Sequence, residues 1–151
     1  MRLLEHESKE ILRRYNMLIP EGDVVESGEA LKMDGPVMLK AQIPLGGRGK
    51  SGGIMEASSS GEAKDKIEQL LRAPIRGYGA RRILVEEMID IAREFFMAVT
   101  YDTVAKAPLV IFSQEGGVDI EDLSATQPEK VQKELFTVRG RLPQYRAREI
   151  I

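Results

Sequence analysis

GPVMLKAQIPLGGRGKSGGIME, residues 35–56, opens as an apolar run interrupted by one cation: Val37, Met38 and Leu39 precede Lys40, and Ala41 and Ile43 follow it. A strand of this composition buries its apolar side chains, and an unpaired ammonium among them is costly. Lys40 therefore needs an anion near the strand end. A few residues on, GGRGKSGG places five glycines, two cations and a serine in eight positions. Glycine accepts positive φ and close backbone approach, so successive N–H groups can converge on phosphate oxygens. Residues 53–57 read as a second short strand. Strand lysine, cationic glycine loop and returning strand together form a hairpin suited to closing over a nucleoside triphosphate. A flexible basic surface loop is the alternative for this stretch taken alone.

Three glycine motifs can be tested here. Gly49-Lys50-Ser51 has the ending of a P-loop, but its first glycine would fall at Pro44, and Gly52, Gly53 and Ile54 do not open a helix. Gly47, Gly49 and Gly52 satisfy G-x-G-x-x-G, yet the dinucleotide version also requires a helix next. A glycine loop inside a hairpin, as in protein kinases, is the better geometry, although Lys40 precedes the loop instead of following it.

At 151 residues the chain suits one modest domain or a piece of a larger one. With 22 basic and 24 acidic side chains, bulk charge favours neither nucleic acid nor a membrane as partner. There is no cysteine, hence no disulfide framework and no thiolate metal site. MRLLEHESKEILRRYN mixes acids among its bases and lacks a long apolar core, so neither a signal peptide nor a transit peptide is expected in it. A cytoplasmic location is the expectation. Aromatic residues are 5% of the chain, so no stacking platform for single-stranded RNA supports the GRGK loop in that role.

Along the chain, residues 4–16 predict an amphipathic helix with Leu4, Ser8, Ile11, Leu12 and Tyr15 on one face and charges on the other. Val24 and Val25 make a short strand, and Ser27 caps a brief helix. Residues 62–72 repeat apolar positions at Ala63, Ile67, Leu70 and Leu71, the spacing of a core-facing helix. Residues 81–91 start as a buried strand. Residues 94–101 and 108–113 pair as antiparallel strands, residues 114–122 form a glycine loop with carboxylates, and residues 128–136 form a short helix with proline at its first position. The last nine residues read as the opening turns of a helix. Helices mixed with at least two antiparallel hairpins give an α+β fold. The apolar ending Glu149-Ile150-Ile151 carries the expectation of a fragment or a split subunit.

A second constellation lies at Val85-Glu86-Glu87-Met88-Ile89, with Glu94 eight residues after Glu86. A carboxylate at a strand end can accept from the amino group of a base, backbone at the next residues can pair with the ring edge, and a second carboxylate suits ribose hydroxyls. An ordinary solvated turn is the alternative.

Taken in order, VMLKAQIPLGGRGKSGGI, ILVEEMIDIAREFF and FSQEGGVDIE resemble the β-subunit family of succinyl-CoA synthetase, an ATP-grasp nucleotide-binding subunit, and LLEHESKEILRRYN is similar to that family's opening helix. The resemblance covers nearly the whole chain at compatible spacing. It implies an ATP-grasp fold in which residues 1–151 are an incomplete nucleotide-binding domain. It further implies that Lys40 and the Gly47-Arg48-Gly49 turn hold the phosphates of ATP or GTP, that Glu86 and the backbone near Ile89 meet the base, and that Glu94 meets the ribose. Gly116 and Gly117 match a family glycine loop. The implied partner is an α-subunit carrying the phosphorylated histidine and the CoA site, and the implied Mg2+ ligands lie outside this chain. The one histidine, His6, matches no phosphohistidine motif and is assigned a structural or surface role.

The chain departs from the family at Pro44-Leu45, where succinate-using members have His-Ala, so malate- and citrate-activating relatives stay open. A nucleotide-binding or subunit-interaction module without its own catalysis is the alternative function.

Overall fold

In the computed structural model, residues 3–137, 139–140 and 142–151 are described. The chain forms two compact units, Met1–Ile89 and Asp90–Ile151.

The first unit is built on a four-stranded antiparallel sheet of order β1-β4-β2-β3, from β1 (Gly22–Val25), β2 (Val37–Ala41), β3 (Ile54–Ala57) and β4 (Ile83–Glu87). β2 is central, and its burial alternates as the period of a strand requires. Val37, Leu39 and Ala41 face helix α2 (Ser60–Arg72), whose Ala63, Ile67 and Leu70 complete the core with Ile83 and Val85 of β4. Met38 and Lys40 stand on the opposite face, where Lys40 lies opposite Leu84 and Met38 opposite Glu86. Thus the strand that carries the lysine is anchored by its other side.

α2 begins one residue pair earlier than its apolar spacing indicates. Ser59 Oγ accepts from the Glu62 N–H at 3.3 Å, and the Glu62 carboxylate reaches back to the Ser58 N–H at 2.8 Å. These satisfy two donors that the first turn leaves open. Ser59→Ala is expected to lower stability by about 0.5–1 kcal/mol, the range of a modest cap, in urea unfolding; Ser59→Asp should restore it.

Helix α1 (Glu5–Arg14) has no buried residue. Ile11 and Leu12 of its apolar face remain 39% and 38% exposed, and the charged face is the one that docks on the sheet. Periodicity identified the faces but not which would be used.

The second unit holds an antiparallel sheet β5-β6-β7, from β5 (Phe96–Asp102), β6 (Ala107–Ser113) and β7 (Gln132–Leu135), with α3 (Ile120–Thr126) and α4 (Gln144–Ile150). Two expectations are corrected here. The loop at 114–122 ends sooner, because Asp119 accepts from the N–H groups of Glu121 and Asp122 and starts α3. The helix expected over 128–136 is a single 3-10 turn, Pro128–Lys130, followed by β7. Proline did open a helical turn, but the free edge of β6 takes residues 132–135 into a ladder from Leu109↔Leu135 to Phe112↔Gln132. Tertiary pairing overrode a local helix start.

Candidate functional site

The site of the first unit is assembled from a strand, a turn and a helix. The loop after β2 closes into a 3-10 turn, Arg48–Ser51, flanked by Gly47 and Gly52 with φ of +64° and +76°. Those left-handed ends are open to glycine at little cost and strained for other residues. The Gly53 N–H donates to the Arg48 carbonyl at 2.8 Å, which tucks the arginine toward the sheet.

Lys40 donates to Glu86 Oε2 at 2.6 Å and lies 3.4 Å from Glu5 Oε1. Lys9 pairs with the other oxygen of Glu86 and lies 3.1 Å from Glu5 Oε1, while Arg48 pairs with Glu5 Oε2. Three cations and two carboxylates thus share one cluster. Glu86 is 2% exposed and is the one charged side chain that is buried among the described residues. Burial alone drives its carboxyl pKa up; hydrogen bonds from Lys40 and Lys9 and attraction to both together prevail and hold it below the ordinary glutamate value. For Lys9 the balance goes the other way. Burial lowers its pKa, and the bond to Glu86 opposes this without cancelling it. Burial likewise lowers that of Arg48 against the attraction of Glu86, and the guanidinium stays charged at neutral pH.

One donor in the cluster is unsatisfied. Among the described residues, Arg48 Nε is a buried side-chain nitrogen with no hydrogen-bond partner. A buried N–H without an acceptor is costly, so its presence beside Lys40 marks a place where an acceptor belongs.

The sequence-predicted residues are distributed as follows. Lys40, Gly47, Arg48, Gly49 and Glu86 lie in the first unit, with Arg48, Lys40 and Glu86 in one cluster. Glu86 meets Lys9 on one carboxylate oxygen and Lys40 on the other, so a donor from a base would share an oxygen with a lysine. Ile89 follows β4 and is exposed. Glu94 belongs to the second unit, where it lines a hollow of about 390 Å3 with Arg93, Gln114, Glu115 and Gly116. The Gly116 N–H donates to the Glu94 carbonyl at 3.1 Å, and a Cβ at Gly116 would lie 2.6 Å from the Glu94 Cβ. That glycine is needed for the loop to approach Glu94. Leu45, at the departure from the family pattern, packs against the core.

Glu5 and Lys9 were not singled out from the sequence. Their signal was an E-x-x-x-K pair, which reads equally well as a solvated helix face. His6 has the structural role assigned to it: its backbone N–H and ring Nδ1 both lie 3.0 Å from Gln42 Oε1. Gln42 in turn donates to the Lys40 carbonyl at 2.8 Å.

With two cations converging beside a glycine turn and an unmet guanidinium donor, the first unit has the chemistry of a binder of anionic ligands. Comparison with known proteins defines the class. The model of the ATP-grasp domain matches residues 2–151, and the chain belongs to that family, a class of nucleotide-binding domains. Over its full length it is 41% identical to the succinate–CoA ligase [ADP-forming] subunit beta of Methanocaldococcus jannaschii and 36% identical to the [GDP-forming] subunit beta of Thermus thermophilus. It covers 42% and 41% of those two proteins, so the chain spans about two-fifths of the curated relatives it matches. Among solved structures, PH1788 from Pyrococcus horikoshii Ot3 superposes with a TM-score of 0.74 at 22% identity, covering 98% of this chain and 63% of that one. Ca. Korarchaeum cryptofilum ACD1 in complex with coenzyme A gives 0.71 at 22% identity, with 98% and 64% covered. These likenesses show the fold. No helix among the described residues is long and apolar enough to cross a membrane.

Proposed function

We propose that the chain is the nucleotide-binding part of an acid–CoA ligase of the succinate-activating, β-subunit type. The observation that carries this reading is the Lys40–Arg48 pair beside the glycine turn, with Arg48 Nε buried and unmet. In it Lys40, Arg48 and the N–H groups at Gly47 and Gly49 hold the phosphates of ATP or GTP. Glu86 and the backbone at Ile89 serve the base, and Glu94 serves the ribose. These residues supply positive charge and fixed donors where a phosphoryl group leaves, so their contribution is electrostatic.

In the complete assembly the nucleotide supplies the phosphoryl group, which passes to a histidine of an α-subunit, then to the carboxylate of the acid, and is displaced by CoA. Mg2+ belongs to that assembly. Among the described residues no three His, Cys, Asp or Glu side chains group to hold a metal ion, so the residues present do not fit it by themselves. The rest of the relatives' length supports placing those ligands, and the ligase portion, outside residues 1–151.

Reconstitution tests the reading. The chain alone should bind a fluorescent ATP analogue and turn over no acid. Joined to the remaining length that the relatives possess and mixed with an α-subunit, it should form ADP dependent on both acid and CoA. A panel of succinate, malate and citrate then identifies the acid. No turnover with any of them would favour a binding module without catalysis, and turnover by the isolated chain would overturn the assignment of roles. Pro44→His with Leu45→Ala should leave affinity for the ATP analogue within about threefold, because no proposed phosphate contact uses those side chains; a tenfold change, about 1.4 kcal/mol, would contradict it.

A further inference from the structure

The contacts that dock α1 are unusual for a helix on a sheet. None of its residues is buried, and it is held by Glu5 to Lys40 and Arg48, by Lys9 to Glu86, and by His6 to Gln42. Polar contacts of this kind exchange readily for others of the same charge, whereas an apolar seam does not. The groups that α1 occupies are those assigned above to the ligand. The Glu5 carboxylate faces Lys9, Lys40 and Arg48 at once, with both oxygens engaged, so it stands where an anionic oxygen must stand to reach Lys40 and Arg48 together. Lys9 takes one oxygen of Glu86 and leaves the other to Lys40. Even with Glu5 in place, Arg48 Nε has no acceptor, so this single carboxylate does not exhaust the donors of the site. A ligand bearing several anionic oxygens can satisfy all of them.

We propose that α1 is a displaceable strap: Glu5 occupies the phosphate position on Lys40 and Arg48, and a polyphosphate ligand expels it. The proposal rests on the nucleotide reading of the site. Release of α1 removes the counter-charge from Lys40 and Arg48 and returns one oxygen of Glu86 as a free acceptor. Glu5 thereby sets the affinity for the ligand. The apparent dissociation constant is the intrinsic one divided by the fraction of molecules with the strap open, and a weaker strap raises that fraction.

Two measurements on the full chain test this. In titrations with a fluorescent ATP analogue, Glu5→Gln should bind about three- to tenfold more tightly than wild type, because the amide competes poorly for two cations. In hydrogen exchange of the wild type, amides of Glu5–Arg14 should lose protection when the analogue is added. Unchanged or weaker binding by Glu5→Gln would overturn the proposal, as would equal or greater protection of α1 in the wild-type complex. The exchange measurement decides the matter if Glu5→Gln does not fold. Lys40→Met separates the two levels of the argument. If it binds the analogue as well as wild type does, the phosphate reading itself fails, whatever Glu5→Gln shows.

Discussion

Lys40→Met is expected to weaken binding of a fluorescent ATP analogue by about 10- to 100-fold. The loss follows from one charge-assisted hydrogen bond, about 1.5–3 kcal/mol, at roughly 1.4 kcal/mol per factor of ten. The same substitution acts on the fold. Lys40 is one of two cations on buried Glu86, so methionine leaves that carboxylate with Lys9 alone. A stability loss of about 1–2 kcal/mol is expected, less than for a pair broken outright because Lys9 remains. Lys40→Arg keeps the charge in a different shape and should recover stability more fully than affinity, since a guanidinium presents its donors in a rigid fork. Titration and urea unfolding on the same three proteins separate the two effects. Affinity equal to wild type in Lys40→Met, with stability lost, would assign the lysine to the fold alone.

Glu86→Gln should cost about 3 kcal/mol at neutral pH. Removing one member of a buried ion pair costs about 3–5 kcal/mol, and the lower end applies because both lysines keep Glu5 nearby and are partly hydrated. The sign of its pH dependence follows from the depressed carboxyl. A carboxyl whose pKa is lower folded than unfolded stabilises the fold at pH values above the unfolded pKa, and the contribution is lost as pH falls through the folded one. Wild type should therefore lose stability below about pH 4.3, the ordinary glutamate value. Glu86→Gln lacks this contribution, so the gap between the two should narrow steadily in acid. A gap independent of pH would mean that the cluster stabilises through packing and not through charge.

Much of the first unit could be read from the chain because its signals are local. The apolar run Val37-Met38-Leu39 identifies a buried strand, and Lys40 stands out because it breaks that composition; that only Val37, Leu39 and Ala41 face the core appears in the folded sheet. The glycine-rich hairpin and the core face of α2 are local in the same sense. What escaped depends on residues distant in sequence. Glu86 was recognisable as a strand-end carboxylate, but its partner Lys9 lies 77 positions away, and no spacing rule links them. The hydrophobic pattern of α1 said which residues share a face and could not say that its charges would do the docking. β7 was hidden by a valid helix signal at Pro128, since the edge of β6 that claims those residues is formed by a different part of the chain. Glu94 was legible as a second carboxylate eight residues after Glu86, while the need for a bare Cα at Gly116 appears only when the loop is folded against it.

The diagonal placement of Lys40 and Glu86 across β2 and β4 also bears on how the sheet finds its pairing. β2 has apolar residues on both sides of its lysine, so hydrophobicity alone discriminates weakly between the native alignment and one shifted by a single residue. Such a slip would turn Lys40 toward Ala63, Ile67 and Leu70 and bring Leu39 to the ionic side. The ammonium would then be buried without an anion, a penalty of several kcal/mol that falls only on the shifted alignment. The lysine proposed to meet a phosphate therefore also serves as a proofreading mark, one that penalises the misregistered sheet and spares the native one.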